Sequence, residues 1–435
     1  MKINDVLRID FFLLIAALLL LTCGILFIYS SGITSAGLVV SREYVRQIIW
    51  GCAGLVIALV LSLVNYRRLY NLSLYIYIAI LVPLIYTCVF GRVIYGTRWL
   101  RIGSLGIQVS EFAKIATIIL LARYLSDSRR SNNGFFRFLI ACIIVLIPMG
   151  IVLIQPDLGT ALVFIPILLC MTYIADVKPR YIVFLVSCIT LTGVLMVLPL
   201  WQSYILQKTV PLLNNLNNPR LIAAIILVLS VIAAIALFGY YKYQKRYFYW
   251  IFYCSIIIVF SLGTSFFIRK MLKNYQLMRL IVFLDPNVDP RGAGWNIIQS
   301  ITAIGSGGLS GKGFLQGTQS HYRYLPEQST DFIFSIFSEE TGFFGGILVF
   351  ALFLLICLRL VKIMKTTSDP FGAYICAGLS GLYIFHFLIN VGMTMGIMPI
   401  TGIPLLFMSY GGSAVISAMT GIGLALSIHV RRYTH

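Results

Sequence analysis

Twelve apolar runs, separated by shorter polar segments, are the strongest constraint on how this chain folds. They lie near 11–30, 46–64, 71–90, 111–126, 135–154, 159–176, 180–199, 221–240, 247–268, 332–358, 372–393 and 402–428. A helix needs about 20 mostly apolar residues to cross a bilayer, and only a segment that satisfies its own backbone is stable there. The runs at 111–126 and 159–176 are the weakest by this measure. Composition agrees: of 435 residues, 60% are apolar and 11% charged, whereas a soluble domain carries about a quarter charged residues. Soluble enzymes, disordered scaffolds and disulfide-stapled secreted domains are excluded. The expectation is an all-α polytopic membrane protein with about twelve transmembrane helices. The first run reads as a retained helix and not a cleaved leader, because Asp5 and Asp10 dilute its positive flank.

The formal net charge is +19, from 33 Lys and Arg against 14 Asp and Glu. Such an excess is what the positive-inside rule produces in cytoplasmic loops, and it calls for no nucleic-acid partner. Arg67, Arg68, Arg129, Arg130, Lys178, Arg180, Lys242, Lys245, Arg246, Arg359, Lys362, Lys365, Arg431 and Arg432 all fall in alternate loops. Placing these loops inside puts both termini in the cytoplasm, which an even helix count permits. The opposite face then carries Arg92, Arg98 and Arg101, and a long polar stretch, 269–331, with seven basic and four acidic residues. Cations outside oppose the orientation rule, so an anionic ligand is expected there.

Nine cysteines occur without a CxxC pair and four histidines lie apart from one another, so neither a disulfide framework nor a metal site is expected. The run 304–313, containing Gly305, Gly307, Gly308, Gly311 and Gly313, misses the phosphate-loop pattern twice, with Ser306 and Gly313 at the decisive positions. It reads as turn glycines or as a backbone that approaches another group closely. Asp331, directly before an apolar run, fits either a helix cap or a positioned general base. Ionisable residues inside apolar runs are functional candidates by default. Glu111 and Lys114 are spaced to pair, Asp157 is placed to cap a helix, and Glu339 and Glu340 lie two turns past Asp331. His386 and Asn390, four apart, are placed to hydrogen-bond a neighbouring element. Trp99 has the position of an interfacial anchor. The Pro399 to Pro404 region resembles an interrupted helix, and no internal repeat is found.

Several of these segments together resemble the SEDS family (shape, elongation, division and sporulation). They are Gly96-Thr97-Arg98-Trp99-Leu100-Arg101 with Glu111-Phe112-Ala113-Lys114, and Gln155-Pro156-Asp157-Leu158-Gly159-Thr160. Further along come Phe283-Leu284-Asp285-Pro286 through Gly294-Trp295 with Gln299-Ser300, and Leu325-Pro326-Glu327 with Thr330-Asp331-Phe332 and Glu339-Glu340. Ser409-Tyr410-Gly411-Gly412-Ser413 closes the series, whose order runs from about 11 to 432. The short C-terminal tail and the loop wording are closer to the family's elongation branch than to its division branch.

The resemblance implies one SEDS transmembrane domain over 1–435, with 269–331 as a large extracytoplasmic loop. The family normally has ten helices, so a helix pair is inserted somewhere within 180–268. It implies a peptidoglycan glycosyltransferase that polymerises lipid II at the outer face of the cytoplasmic membrane and releases undecaprenyl pyrophosphate; the alternative activity is lipid II flipping. The family's loop aspartate falls on Asp331, its tryptophan on Trp99 and its basic residues on Arg98, Arg101 and Lys114. Glu111, Asp157, Gln299, Ser300, Glu339, Glu340 and Ser413 are supporting polar positions. Implied partners are a class B penicillin-binding protein and other elongation-complex membrane proteins. A divalent cation, Mg2+ or Mn2+, bridging the pyrophosphate is compatible with the chemistry, although the sequence offers it no dedicated site.

Overall fold

The computed structural model describes residues 9–90, 99–102, 105–130, 133–206, 210, 218–271 and 274–432. Each of the twelve apolar runs contains a helix. They are α1 (Phe11–Ser31), α2 (Glu43–Leu63), α3 (Arg67–Phe90), α4 (Val109–Asp127), α5 (Gly134–Ile154) and α6 (Leu158–Ile174). After these come α7 (Pro179–Trp201), α8 (Pro219–Tyr243) and α9 (Arg246–Met271). Two polar-loop helices follow, α10 (Asn274–Leu284) and α11 (Ala293–Ser306), then α12 (Ile333–Thr366), α13 (Pro370–Thr394) and α14 (Gly412–Val430). Ten helices among the described residues are long and apolar enough to cross a membrane. The short α6 and the charge-bearing α4 complete the twelve.

The helix starts are written in local chemistry. Asp10, Asp157, Asn218 and Asp369 accept from the amides of Leu13, Thr160, Arg220 and Phe371 at 3.1–3.2 Å, meeting donors that the first turn leaves open. Proline opens α7, α8 and α13, where its missing N–H costs no helical bond. Two arginines close helix ends. The buried Arg137 guanidinium donates to the carbonyls of Leu125 and Ala175, at 2.9 and 2.8 Å, past or within the last turns of α6 and α4. Arg431 does the same for Ser62 and Leu63 at the end of α2. A cation there also opposes the negative end of the helix dipole.

Packing divides the chain into two units, 1–177 with 299–435, and 178–298. In the first, α13 and α14 are buried on most faces. Small residues bring α14 close to α2: a side chain at Gly423 would meet the Ala58 backbone at 2.8 Å, the close approach typical of membrane helix pairs. In the second, α8 and α9 form a hairpin turning at Gln244, and α9 lies along α7. The Tyr253 hydroxyl donates to the Arg180 carbonyl at 2.8 Å.

Two departures from the apolar pattern matter for the site. The last run starts near 402, but its helix starts at Gly412. Residues 401–411 are turn and irregular backbone, with Gly402 and Phe407 at φ 71° and 69°. Non-helical backbone is stable among apolar helices only when other groups take its hydrogen bonds. Gln47 does so here, donating to the Ser409 carbonyl at 2.9 Å and accepting from the Gly411 amide at 3.2 Å. The second departure is a break in α12 at Gly342 (φ 67°, ψ −160°). The carbonyls of Glu339 and Glu340 accept from the amides of Lys312 and Gly313, both at 3.0 Å, and the Phe343 amide donates to Gly308 at 2.9 Å. The glycine-rich run is therefore a partner for broken helix backbone. A Cβ on Gly342 would lie 2.3 Å from the Gly311 nitrogen, and one on Gly311 would lie 2.1 Å from the Glu340 carbonyl oxygen.

Candidate functional site

Asp331 ends the turn that leads into α12. Its amide donates to the Glu327 carbonyl at 3.2 Å, and the N-cap position is taken by Phe332. Asp331 is half-buried, while the four residues after it are buried. Its own carbonyl accepts from the Asn390 amide nitrogen at 3.0 Å. On the same side, Ser300 Oγ lies 2.6 Å from Ser335 Oγ and donates to the Thr394 carbonyl at 2.6 Å, tying α11, α12 and α13 together. Gln299 precedes it on α11, half-buried.

Glu339 and Glu340 are buried at the end of the first half of α12. Glu339 Oε1 accepts from Lys312 Nζ (2.7 Å), the Thr318 amide (2.8 Å) and hydroxyl (3.0 Å), and the Gln319 amide (3.1 Å). Glu340 accepts from the Ser30 hydroxyl and from the Leu315 amide at 2.9 Å. One oxygen of each carboxylate thus holds segment 307–321 against α12, while the other Glu340 oxygen meets Ser30 of α1 and Glu339 Oε2 is buried without a hydrogen-bond partner. Charge-assisted bonds of this kind are about twice as strong as neutral ones.

A third group lies among the apolar helices. Lys114 Nζ is 2.8 Å from Glu111 Oε1 and 3.0 Å from His386 Nε2, and all three residues are buried. The pairing read from the Glu111–Lys114 spacing is present. Ser417 Oγ on α14 donates to the Glu111 carbonyl at 2.8 Å.

The two-stranded hairpin β1 (Trp99–Ile102) and β2 (Leu105–Gln108) runs straight into α4, with Trp99 opposite Gln108 and Arg101 opposite Gly106. Trp99 is 41% exposed and its ring lies over Gly106. Ser413 Oγ accepts from the Gln108 amide at 2.9 Å. Gln108 Nε2 donates to Asp157 at 3.2 Å, while the other Asp157 oxygen caps α6 as its position indicated. Arg98 and the Arg101 side chain lie outside the described residues.

The structure therefore brings Asp331, Ser300 and Asn390 together, groups Glu339 with Glu340, pairs Glu111 with Lys114, and joins Asp157 to Ser413 through Gln108. Lys312, Gln108 and Gln47 were not legible as site-supporting residues. Lys312 carries one signal: a lone cation inside a glycine run has to find a carboxylate if its surroundings close over it.

A multi-pass α-helical membrane protein with buried ionisable groups and a polar end built on a broken helix is the class these features define. A sequence model of the FtsW/RodA/SpoVE family, described as cell cycle protein, matches residues 11–239 and 222–434, and the chain belongs to that family. The peptidoglycan glycosyltransferase RodA of Treponema pallidum is 48% identical over 433 residues, covering 99% of this chain and 100% of the relative. The peptidoglycan glycosyltransferase MrdB of Escherichia coli K12 is 31% identical, covering 98% and 95%. Among solved structures, the rod shape determining protein RodA of Thermus thermophilus aligns with a TM-score of 0.61 at 21% identity, covering 98% of each chain. A chain from a peptidoglycan synthase complex aligns at 0.66 and 23%, covering 98% of this chain and 99% of that one. These two likenesses concern the fold.

Proposed function

We infer that this chain polymerises lipid II during cell elongation, a reading supported by full-length relatives that are named peptidoglycan glycosyltransferases. Its site reading rests on one observation: Asp331 is half-buried at the start of α12, whereas Glu111, Asp157, Glu339 and Glu340 are buried. A carboxylate that must take a proton from a sugar has to be reachable. With an α-linked pyrophosphate donor and a β-1,4 product, the anomeric centre inverts in a single displacement. The acceptor hydroxyl oxygen bonds to the anomeric carbon while Asp331 takes its proton. The carbon–oxygen bond to undecaprenyl pyrophosphate breaks, and that group leaves with the electron pair. The leaving group is already a stable anion, so a general acid is less necessary than in ether hydrolysis.

Arg98 and Arg101, as arginines, suit the forked contacts a diphosphate needs. Trp99, exposed on the hairpin, is placed to meet the substrate. Lys114 is already engaged by Glu111 and His386, so its part is to hold α4 against α13. The residues do not suit a protein-held divalent ion. Among the described residues no three His, Cys, Asp or Glu form a metal-binding group, and Lys312 occupies the oxygen of Glu339 that faces its loop.

The cationic loops support a topology with both termini in the cytoplasm and Asp331 outside. The partner is a class B penicillin-binding protein, a reading supported by the structural relative from a synthase complex that coordinates polymerisation and crosslinking. The helix pair beyond the family's ten falls within 180–268.

Glycan synthesis from lipid II by the purified protein in detergent tests the activity, since flipping has no meaning without a bilayer. Asp331→Asn is expected to lower the rate about 10²–10⁴-fold. A folded variant polymerising at the wild-type rate would overturn the assignment.

A further inference from the structure

We propose that Asn390 and His386 are positioning residues that set the Asp331 carboxylate for proton abstraction, acting together through the non-helical segment before α14. This rests on the reading of Asp331 as the base and extends it to two residues on another helix.

Asn390 has no exposed surface, and its amide nitrogen donates twice, to the Asp331 carbonyl at 3.0 Å and to the Ile403 carbonyl at 2.8 Å. One turn earlier on α13, His386 Nδ1 lies 3.0 Å from the Pro404 carbonyl and Nε2 lies 3.0 Å from Lys114 Nζ. An ammonium can only donate, so Nε2 accepts; Nδ1 then carries the hydrogen and donates to Pro404. The lysine thereby fixes the imidazole tautomer, as a second partner does for other working histidines.

Two successive carbonyls of non-helical backbone, at 403 and 404, are thus held by two side chains a turn apart. A hydrogen-bonded chain runs from Glu111 through Lys114, His386 and the 403–404 backbone to Asn390 and Asp331. One turn further along α13, the Thr394 carbonyl receives Ser300, which also meets Ser335 in the first turn of α12. Asp331 is therefore fixed to α13 directly and again through the turn that follows it. Asn390 Oδ1 has no hydrogen-bond partner and is buried. An apolar residue would pack this position without that cost, so the gain from the amide lies in its two donors.

The carboxylate is held through its own main chain. A displacement of about 1 Å at a reacting group can lower a rate about 10²-fold, and such a loss falls on kcat, since substrate contacts are untouched.

The test uses the full-length protein in detergent with lipid II. Asn390→Ala is expected to lower kcat about 10²-fold, with KM changed by less than about threefold. The acid limb of its kcat–pH profile should move, while the thermal midpoint of the purified protein stays near wild type. If that variant does not fold, Asn390→Asp keeps the volume and gives up both N–H donors. His386→Ala should act in the same direction, and His386→Gln, which keeps a donor and an acceptor, should recover most of the rate. Wild-type kcat and an unmoved acid limb in Asn390→Ala, with Asp331→Asn inactive, would overturn the positioning role and leave the base assignment standing. A loss proportional only to the folded fraction would overturn it equally. Full activity of Asp331→Asn would instead remove the reading beneath it.

Discussion

The Lys114 ammonium stands 2.8 Å from Glu111 Oε1 with both residues at most 2% exposed. Removing one member of such a pair leaves an uncompensated charge where water cannot reach it. Lys114→Met should therefore cost about 3–5 kcal/mol of stability, and Lys114→Met with Glu111→Leu considerably less. Thermal midpoints of the two variants in one detergent check the order. A double variant less stable than the single one would contradict it.

Glu339 gathers four donors on one oxygen. Glu339→Gln keeps the shape and loses the charge, so segment 307–321 should loosen from α12. Trypsin should then cut after Lys312 faster than in the wild type, with the helices intact by circular dichroism. Unchanged cleavage would mean that the glycine–backbone contacts alone hold the segment.

Gly342 sits at φ 67° with the Gly311 nitrogen 2.3 Å from where a Cβ would be. Gly346, on the same helix, has its closest such neighbour at 3.9 Å. Alanine at 342 should lower both yield and thermal midpoint, since an L-residue in this nearly glycine-only conformation costs about 1–3 kcal/mol before the clash is counted. Alanine at 346 should be neutral or slightly stabilising, by up to about 1 kcal/mol from helix propensity. Equal behaviour of the two variants would argue against the break.

Tyr66 lies in the turn between α2 and α3 and donates to Asp369 at 2.9 Å. Burial first, and then the Asp369 charge, push its hydroxyl up from 10 to about 12. The folded state therefore holds this proton more tightly than the unfolded chain. Its contribution is fully present below pH 10 and is lost as pH rises through about 12. Tyr66→Phe should lose less stability than the wild type between those values, measured as the difference in denaturation midpoint. Parallel alkaline curves would show that the hydroxyl has no such coupling.

Some of the site could be read in advance because its partners are neighbours along the chain. Glu111 and Lys114 are three apart on one helix, and Asp157 caps the helix that follows it. Asp331 looked equally like a cap, but the turn from Glu327 closes one residue later and leaves Phe332 at that position. The run beginning near 402 looked helical because its residues are apolar. Gly402, Pro404 and the side chains of His386 and Asn390, which donate to its carbonyls, instead hold it out of the helix.

Sequence by itself determined the solvent and the elements: apolar length sets where helices cross, acids and prolines set where they start, and a series of motifs sets the family. Only the tertiary structure decided which buried polar group meets which. That a wholly buried Asn390 needs partners follows from the cost of leaving donors unmet. That one of them is the carbonyl of Asp331, 59 residues away, depends on how α12, α13 and the 401–411 segment pack. The break at Gly342 was hidden for the same reason, since a glycine in an apolar run is neutral until another backbone comes within reach.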